Sequence, residues 1–177
     1  MGGLTWRSGL YYAGSHTWLK RERHGSAVRV GLDGLAQHIL PEVRAVNLPR
    51  PGTRVYQGEP VPEVRCGERR ARISSPVEGV VTRVNPALRG DPSLVEREPY
   101  AAGWLFALAP ADLLYTALPT GGSTREWFRR ESTRLGRFLE RDLGLAAADG
   151  GELLLPAASA LRDEQWEALT RSFPNAA

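Results

Sequence analysis

The chain is poor in the residues that build metal sites, disulfides and lysine-linked groups. Cys66 is the sole cysteine among 177 residues, so no internal disulfide can form and no cysteine-based zinc site can be assembled. Three histidines, His16, His24 and His38, are scattered without partner spacing, and a metal centre is not expected. Of the 23 basic side chains only Lys20 is a lysine. A general preference for Arg over Lys accounts for most of this bias, yet one side chain alone could carry an amide-linked prosthetic group. No apolar run reaches the length of a membrane span, and the opening "MGGLTWRSGLYYAG" lacks the apolar core of a signal peptide, so a cytoplasmic protein is expected.

What is present describes a globular chain, 42% hydrophobic and 24% charged, with a net charge of +3. That excess is too small to imply nucleic acid by itself, but its location matters. The stretch "RCGERRAR", residues 65 to 72, holds four Arg against one Glu, a local net of +3. Residues 11 to 113 read as mostly β. "AVRVGL" (27–32), "VRAVNL" (43–48) and "TRVYQG" (53–58) contain β-branched residues with partial alternation, and "VEGVVTRVN" (77–85) and "WLFALA" (104–109) read as strands too. Frequent Pro and Gly between them predict short strands in a small barrel or sandwich. "DGLAQHIL" (33–40) is the helical exception, stopped by Pro41.

Composition shifts after about residue 114, which divides the chain into a domain over 1–114 and a helical extension over 115–177. "LPTGG" (118–122) reads as a linker. Residues 123–145 read as an amphipathic helix, with Ser123 and Glu126 at capping-box spacing. Phe128, Leu135, Leu139 and Leu143 form its apolar stripe, which Trp127 and Phe138 widen. Gly150-Gly151 breaks the pattern, and residues 161–173 predict a second helix with Trp166, Leu169 and Phe173 on one face. Two short helices cannot bury such faces alone, so they are expected to pack on each other, on the β domain or on a partner.

Three stretches carry a family resemblance: "SHTWLK" (15–20), "GLDGLAQHILPEVRAVNLPRPGTRVYQGEP" (31–60) and "SSPVEGVVTRVNPALRGDPSLVEREPYAAGWLFALAPAD" (74–112). In order and spacing the chain resembles the glycine cleavage system H protein. The resemblance implies a mostly β fold with minor α, a lipoyl-domain-like barrel-sandwich hybrid with a protruding hairpin, here followed by the helical extension. In that family the hairpin lysine carries lipoate by an amide bond. Its lipoyl arm takes an aminomethyl group from the decarboxylating subunit, offers it to the aminomethyltransferase and is reoxidised by a flavin dehydrogenase.

Counted without gaps from either flank, the family's lysine falls on Glu68, and the acidic residue before it is replaced by Arg65. A carboxylate cannot form the lipoyl amide, and Lys20 lies after the first strand rather than on the hairpin. No cofactor is therefore expected, and biotin attachment fails for the same reason. Resemblance in fold does not carry the activity. The expected role is a non-enzymatic binding or scaffold protein. Arg65, Arg69, Arg70 and Arg72 would form a basic rim facing acidic surfaces of a protein partner, including lipoate-handling or glycine-cleavage-type enzymes.

Three alternatives stay open. Cys66, flanked by Arg, would serve a redox or carrier role if its thiolate were favoured, although it shares strand parity with Val64 and so fits an inward core position. A genuine lipoyl carrier modified elsewhere would need Lys20. Nucleic-acid binding by the Arg-rich turn lacks an aromatic for base stacking. Trp104 and Tyr100 read as packing residues, and the sequence shows no catalytic constellation.

Overall fold

The structure is a computed structural model that describes all residues except 1–4, 146–147, 150–151, 154–159 and 175–177. In chain order the elements are β1 (Tyr11–Ala13), β2 (Thr17–Arg21), β3 (Val28–Leu32), α1 (Gly34–Ile39), β4 (Val43–Asn47), β5 (Arg54–Val55), β6 (Pro60–Cys66) and β7 (Arg69–Ser74). They continue as β8 (Gly79–Val84), α2 (Leu94–Arg97), β9 (Phe106–Pro110), α3 (Thr124–Arg141), β10 (Ala148–Asp149), β11 (Glu152–Leu153) and α4 (Asp163–Ser172). The expected break at Gly150-Gly151 lies outside the described residues.

The strands form an open six-stranded sheet, β1-β2-β3-β9-β8-β5, and a three-stranded sheet, β4-β6-β7, with β10-β11 as a separate pair. This overturns the expected mostly β barrel-sandwich. Neither sheet closes on itself, and α3 and α4 add 18 and 10 helical residues, which makes the fold mixed α and β. Closure is prevented at both ends of the larger sheet. The free edge of β1 bonds to irregular chain, with Tyr12 N donating to Pro119 O at 3.0 Å and Tyr11 bridged to Thr120. At the other end β5 has only two residues, too short to seat a further strand. Residues 118–122 are thus no free linker, because the exposed edge groups of β1 take their partners from them.

Local chemistry sets the helices. The Asp33 carboxylate caps α1, accepting from Leu35 N and Ala36 N, both at 2.9 Å. The expected cap of α3 is not made. A 3₁₀ turn over Gly121–Ser123 precedes the helix, so Ser123 already has helical dihedrals and its hydroxyl turns back to Thr120. Glu126 instead pairs with Arg129 at 2.7 Å.

The apolar stripes are buried as their spacing requires. Trp127, Phe128, Leu135, Leu139 and Leu143 of the first helical segment, and Trp166, Leu169 and Phe173 of the second, belong to the same buried cluster as the sheet residues. Tyr12 of β1 meets Phe128 edge-on at 5.0 Å, and Gln165 Nε2 donates to Leu143 O at 2.9 Å.

At the centre of this junction lies His16, fully buried between β1 and β2. Its Nδ1 is 3.1 Å from the capping carboxylate of Asp33. Its Nε2 is 3.4 Å from Glu131 of α3, an ion-pair approach rather than an aligned hydrogen bond. The ring stacks on Phe173 at 5.7 Å. Burial opposes charge on the imidazole, but Asp33 and Glu131 outweigh it and raise the pKa above the ordinary 6.5. Burial likewise works against the Glu131 carboxylate, and His16 and Arg134 overcome it, holding it below the ordinary 4.5.

Two outcomes follow from this packing. Stability contributed by His16 is complete below its ordinary 6.5 and is lost as pH rises through the raised value, while that of Glu131 is complete above 4.5 and lost on acidification. Thermal melts should therefore fall as pH rises above 6.5, with a shallower fall in Glu131→Gln. Trp166→Ala should cost about 3–5 kcal/mol in denaturant unfolding and speed amide exchange along β7, which α4 covers.

Candidate functional site

The β6–β7 hairpin is closed by a two-residue turn, Gly67-Glu68, between the paired residues Cys66 and Arg69. Gly67 has φ +56°, the positive value that the first central position of a type II′ turn takes. Its N–H donates to Glu42 O at 3.0 Å, which seats the turn on the bend between α1 and β4. Glu68 sits exposed at the tip. The position expected to match the family's lysine is therefore accessible, and it presents a carboxylate.

Alternation along the strands then sorts the rest. On β6, Val64 and Cys66 face the core and Arg65 faces solvent; on β7, Ala71 and Ile73 face the core and Arg70 and Arg72 face solvent. Arg69 shares parity with Ala71 and Ile73, and its side chain is only 22% exposed. It pairs with Asp163 of α4 at 3.1 Å, donates to Leu161 O and lies over the Trp166 ring at 5.7 Å. Trp166 Nε1 in turn donates to Arg70 O at 2.9 Å, and Ser74 N donates to Pro174 O at 2.9 Å. Three of the four expected rim residues thus remain on the outer face, while Arg69 fastens the C-terminal segment over the edge of β7.

The outer face is held by one carboxylate. Glu63 lies 3.7 Å from Arg70 and 3.8 Å from Arg72, contacts in side chains 72% and 65% exposed that add little stability. Arg65 stands directly opposite Arg70 across the hairpin. Like charges in that position disfavour the fold slightly, so the arrangement does not serve stability.

Cys66 is 3% exposed, and burial, reinforced by Glu96 and Glu42, pushes its thiol up to about 12. The neighbouring guanidiniums do not produce a thiolate. Lys20 is exposed on β2 of the six-stranded sheet, in a different sheet from the hairpin. Trp104 packs between Arg29 and Arg83, at 4.8 and 5.0 Å, and Tyr100 accepts from Gly34 N at 2.7 Å. Among the described residues no group of His, Cys, Asp and Glu has metal-ligand geometry. The His16 junction was invisible to sequence reasoning, because Asp33 and Glu131 stand far from it in the chain; its only signal was the match of His16 to the family's first strand. Native Cys66 should resist alkylation at neutral pH and react only on unfolding, as mass spectrometry with and without denaturant would show.

Comparison with known proteins agrees with this layout. The family described as "Glycine cleavage H-protein" matches residues 10–118. The glycine cleavage system H protein of Micrococcus luteus is 41% identical over 104 residues, covering 59% of this chain and 81% of that protein. The mitochondrial protein of Pisum sativum is 39% identical over 102 residues, covering 58% of this chain and 61% of its own length. The crystal structure of the Mycobacterium marinum H protein superposes with a TM-score of 0.59 at 26% identity, covering 71% of this chain and 98% of that one. The chain belongs to the glycine cleavage H-protein family.

Proposed function

We propose that this chain is an H-protein-like binding or scaffold protein of the cytoplasm that carries no lipoyl group and has no catalytic activity of its own. The observation that carries the reading is Glu68, exposed at the hairpin tip where the family's lysine aligns. An amide to lipoate needs an amine, and the described surface offers one lysine, Lys20, in the other sheet. In this reading residues 1–114 are the H-protein-like unit and 115–177 the extension that sets it apart.

The partner-facing surface is the outer face of Arg65, Arg70 and Arg72. Its charge is incompletely offset by Glu63, and its like-charged pair is retained at a small cost to the fold. Such a face steers encounter with an acidic protein surface. The partner belongs to the lipoate-handling or glycine-cleavage-type enzymes, since the ligase that attaches lipoate reads this hairpin in the family. A thiol-based role for Cys66 has its burial and its raised pKa against it.

Incubation with lipoate ligase, lipoate and ATP, followed by intact mass, tests the reading. The wild-type chain should stay unmodified, and Glu68→Lys with Arg65→Glu should gain a lipoyl group. Modification of the wild type overturns the proposal. Failure of the double variant, alongside a modified ordinary H protein, shows that the hairpin has diverged beyond those two residues.

A further inference from the structure

Helix α3 presents a second basic surface, separate from the hairpin. Arg130, Arg134, Arg137 and Arg141 recur at intervals of four, three and four, which places them on one stripe about 16 Å long. The stripe borders a groove of about 690 Å³, which Phe138 and Phe173 also line. Of the stripe's four guanidiniums only Arg134 is in an ion pair among the described residues. Glu131 is engaged by His16 from below and by Arg134 at 2.7 Å. Arg134 also donates to Ser172 O at 3.2 Å and lies 4.3 Å over the Phe173 ring, so it serves as the wall joining α3 to the end of α4. That leaves Arg130, Arg137 and Arg141 with no ion-pair contact among the described residues, Arg130 lying in the field of Glu126 and Asp142 standing as the one acid at the groove's end.

We infer that this groove docks an acidic amphipathic helix of a partner protein, with its carboxylates on Arg130, Arg137 and Arg141 and an apolar anchor against Phe138. Spacing selects the occupant. Guanidiniums at helical intervals along α3 meet carboxylates at the same intervals on a helix laid alongside it. A small anion is disfavoured because the three unpaired groups are spread along the stripe rather than converging on a point. Nucleic acid is disfavoured because neither ring offers a face for stacking: Phe138 is half-buried, Phe173 is fully buried, and they meet edge-on at 70°.

The site stands independently of the hairpin and of whether the chain is lipoylated. Its test uses the full chain and a labelled helical peptide, with Glu at three- and four-residue intervals beside a Leu stripe, read by fluorescence anisotropy. The comparators are the same peptide with Lys for each Glu and a single-stranded oligonucleotide of equal charge. The Glu peptide should bind saturably, and Arg137→Glu with Arg141→Glu should weaken it about tenfold or more. The charge-matched control Arg50→Glu with Arg89→Glu should bind like the wild type. Peptide-induced amide shifts in the unmutated chain should cluster on residues 130–141 and 172–173. Absence of saturable binding, equal losses in both double variants, shifts located elsewhere, or tighter binding of the oligonucleotide would each overturn the assignment.

Discussion

The pairing of Cys66 with Arg69 across a two-residue turn is the constraint on which the functional half of the molecule depends. Side chains alternate with period two, so a slip of one residue would exchange the faces of the strand that moved. In the register observed, the thiol and one guanidinium turn inward, three guanidiniums turn outward, and Glu68 is left at the tip. Glu68, expected to match the family's lysine, is therefore exposed, the cysteine is shielded, and the basic face is narrower than a count of Arg residues implies. A positive φ at Gly67 and its bond to Glu42 hold that register in place.

The inward Arg69 links the hairpin to the C-terminal helices. Through Asp163, Leu161 and Trp166 it draws α4 across β7, an edge strand whose unpaired groups would otherwise invite pairing with other chains. The opposite end of the same helical pair rests on His16, which stacks on Phe173 and sits between the carboxylates of Asp33 and Glu131. The matched part of the family ends at residue 118, yet the segment beyond it shares one buried cluster with the sheets. Glu131, shared between His16 and Arg134, takes Arg134 out of the stripe and leaves Arg137 and Arg141 without an ion pair among the described residues.

Much of this was legible in the residues. Alternating β-branched positions located β3, β4 and β8, the apolar run "WLFALA" located β9, and Pro41 marked the end of α1. The stripes of Phe128, Leu135 and Leu139, and of Trp166 and Leu169, named the buried faces of both long helices. Strand parity alone put Cys66 inside. The same parity would have separated Arg69 from Arg70 and Arg72, since it falls in step with Ala71 and Ile73, but charge density along the turn obscured it. What could not be read depends on long-range geometry. Local pattern does not say whether a sheet closes, and β1 finds its edge partner over a hundred residues away, at Pro119 and Thr120. The His16 junction joins three segments that no spacing rule connects.

The central claim is that the H-protein-like architecture persists here without the group its relatives' hairpin holds. The most direct measurement is the intact mass of the protein purified from its own host without reducing agent. A mass equal to that of the unmodified chain is the predicted result. A lipoyl increment, mapped by peptide sequencing to Lys20, would contradict the account.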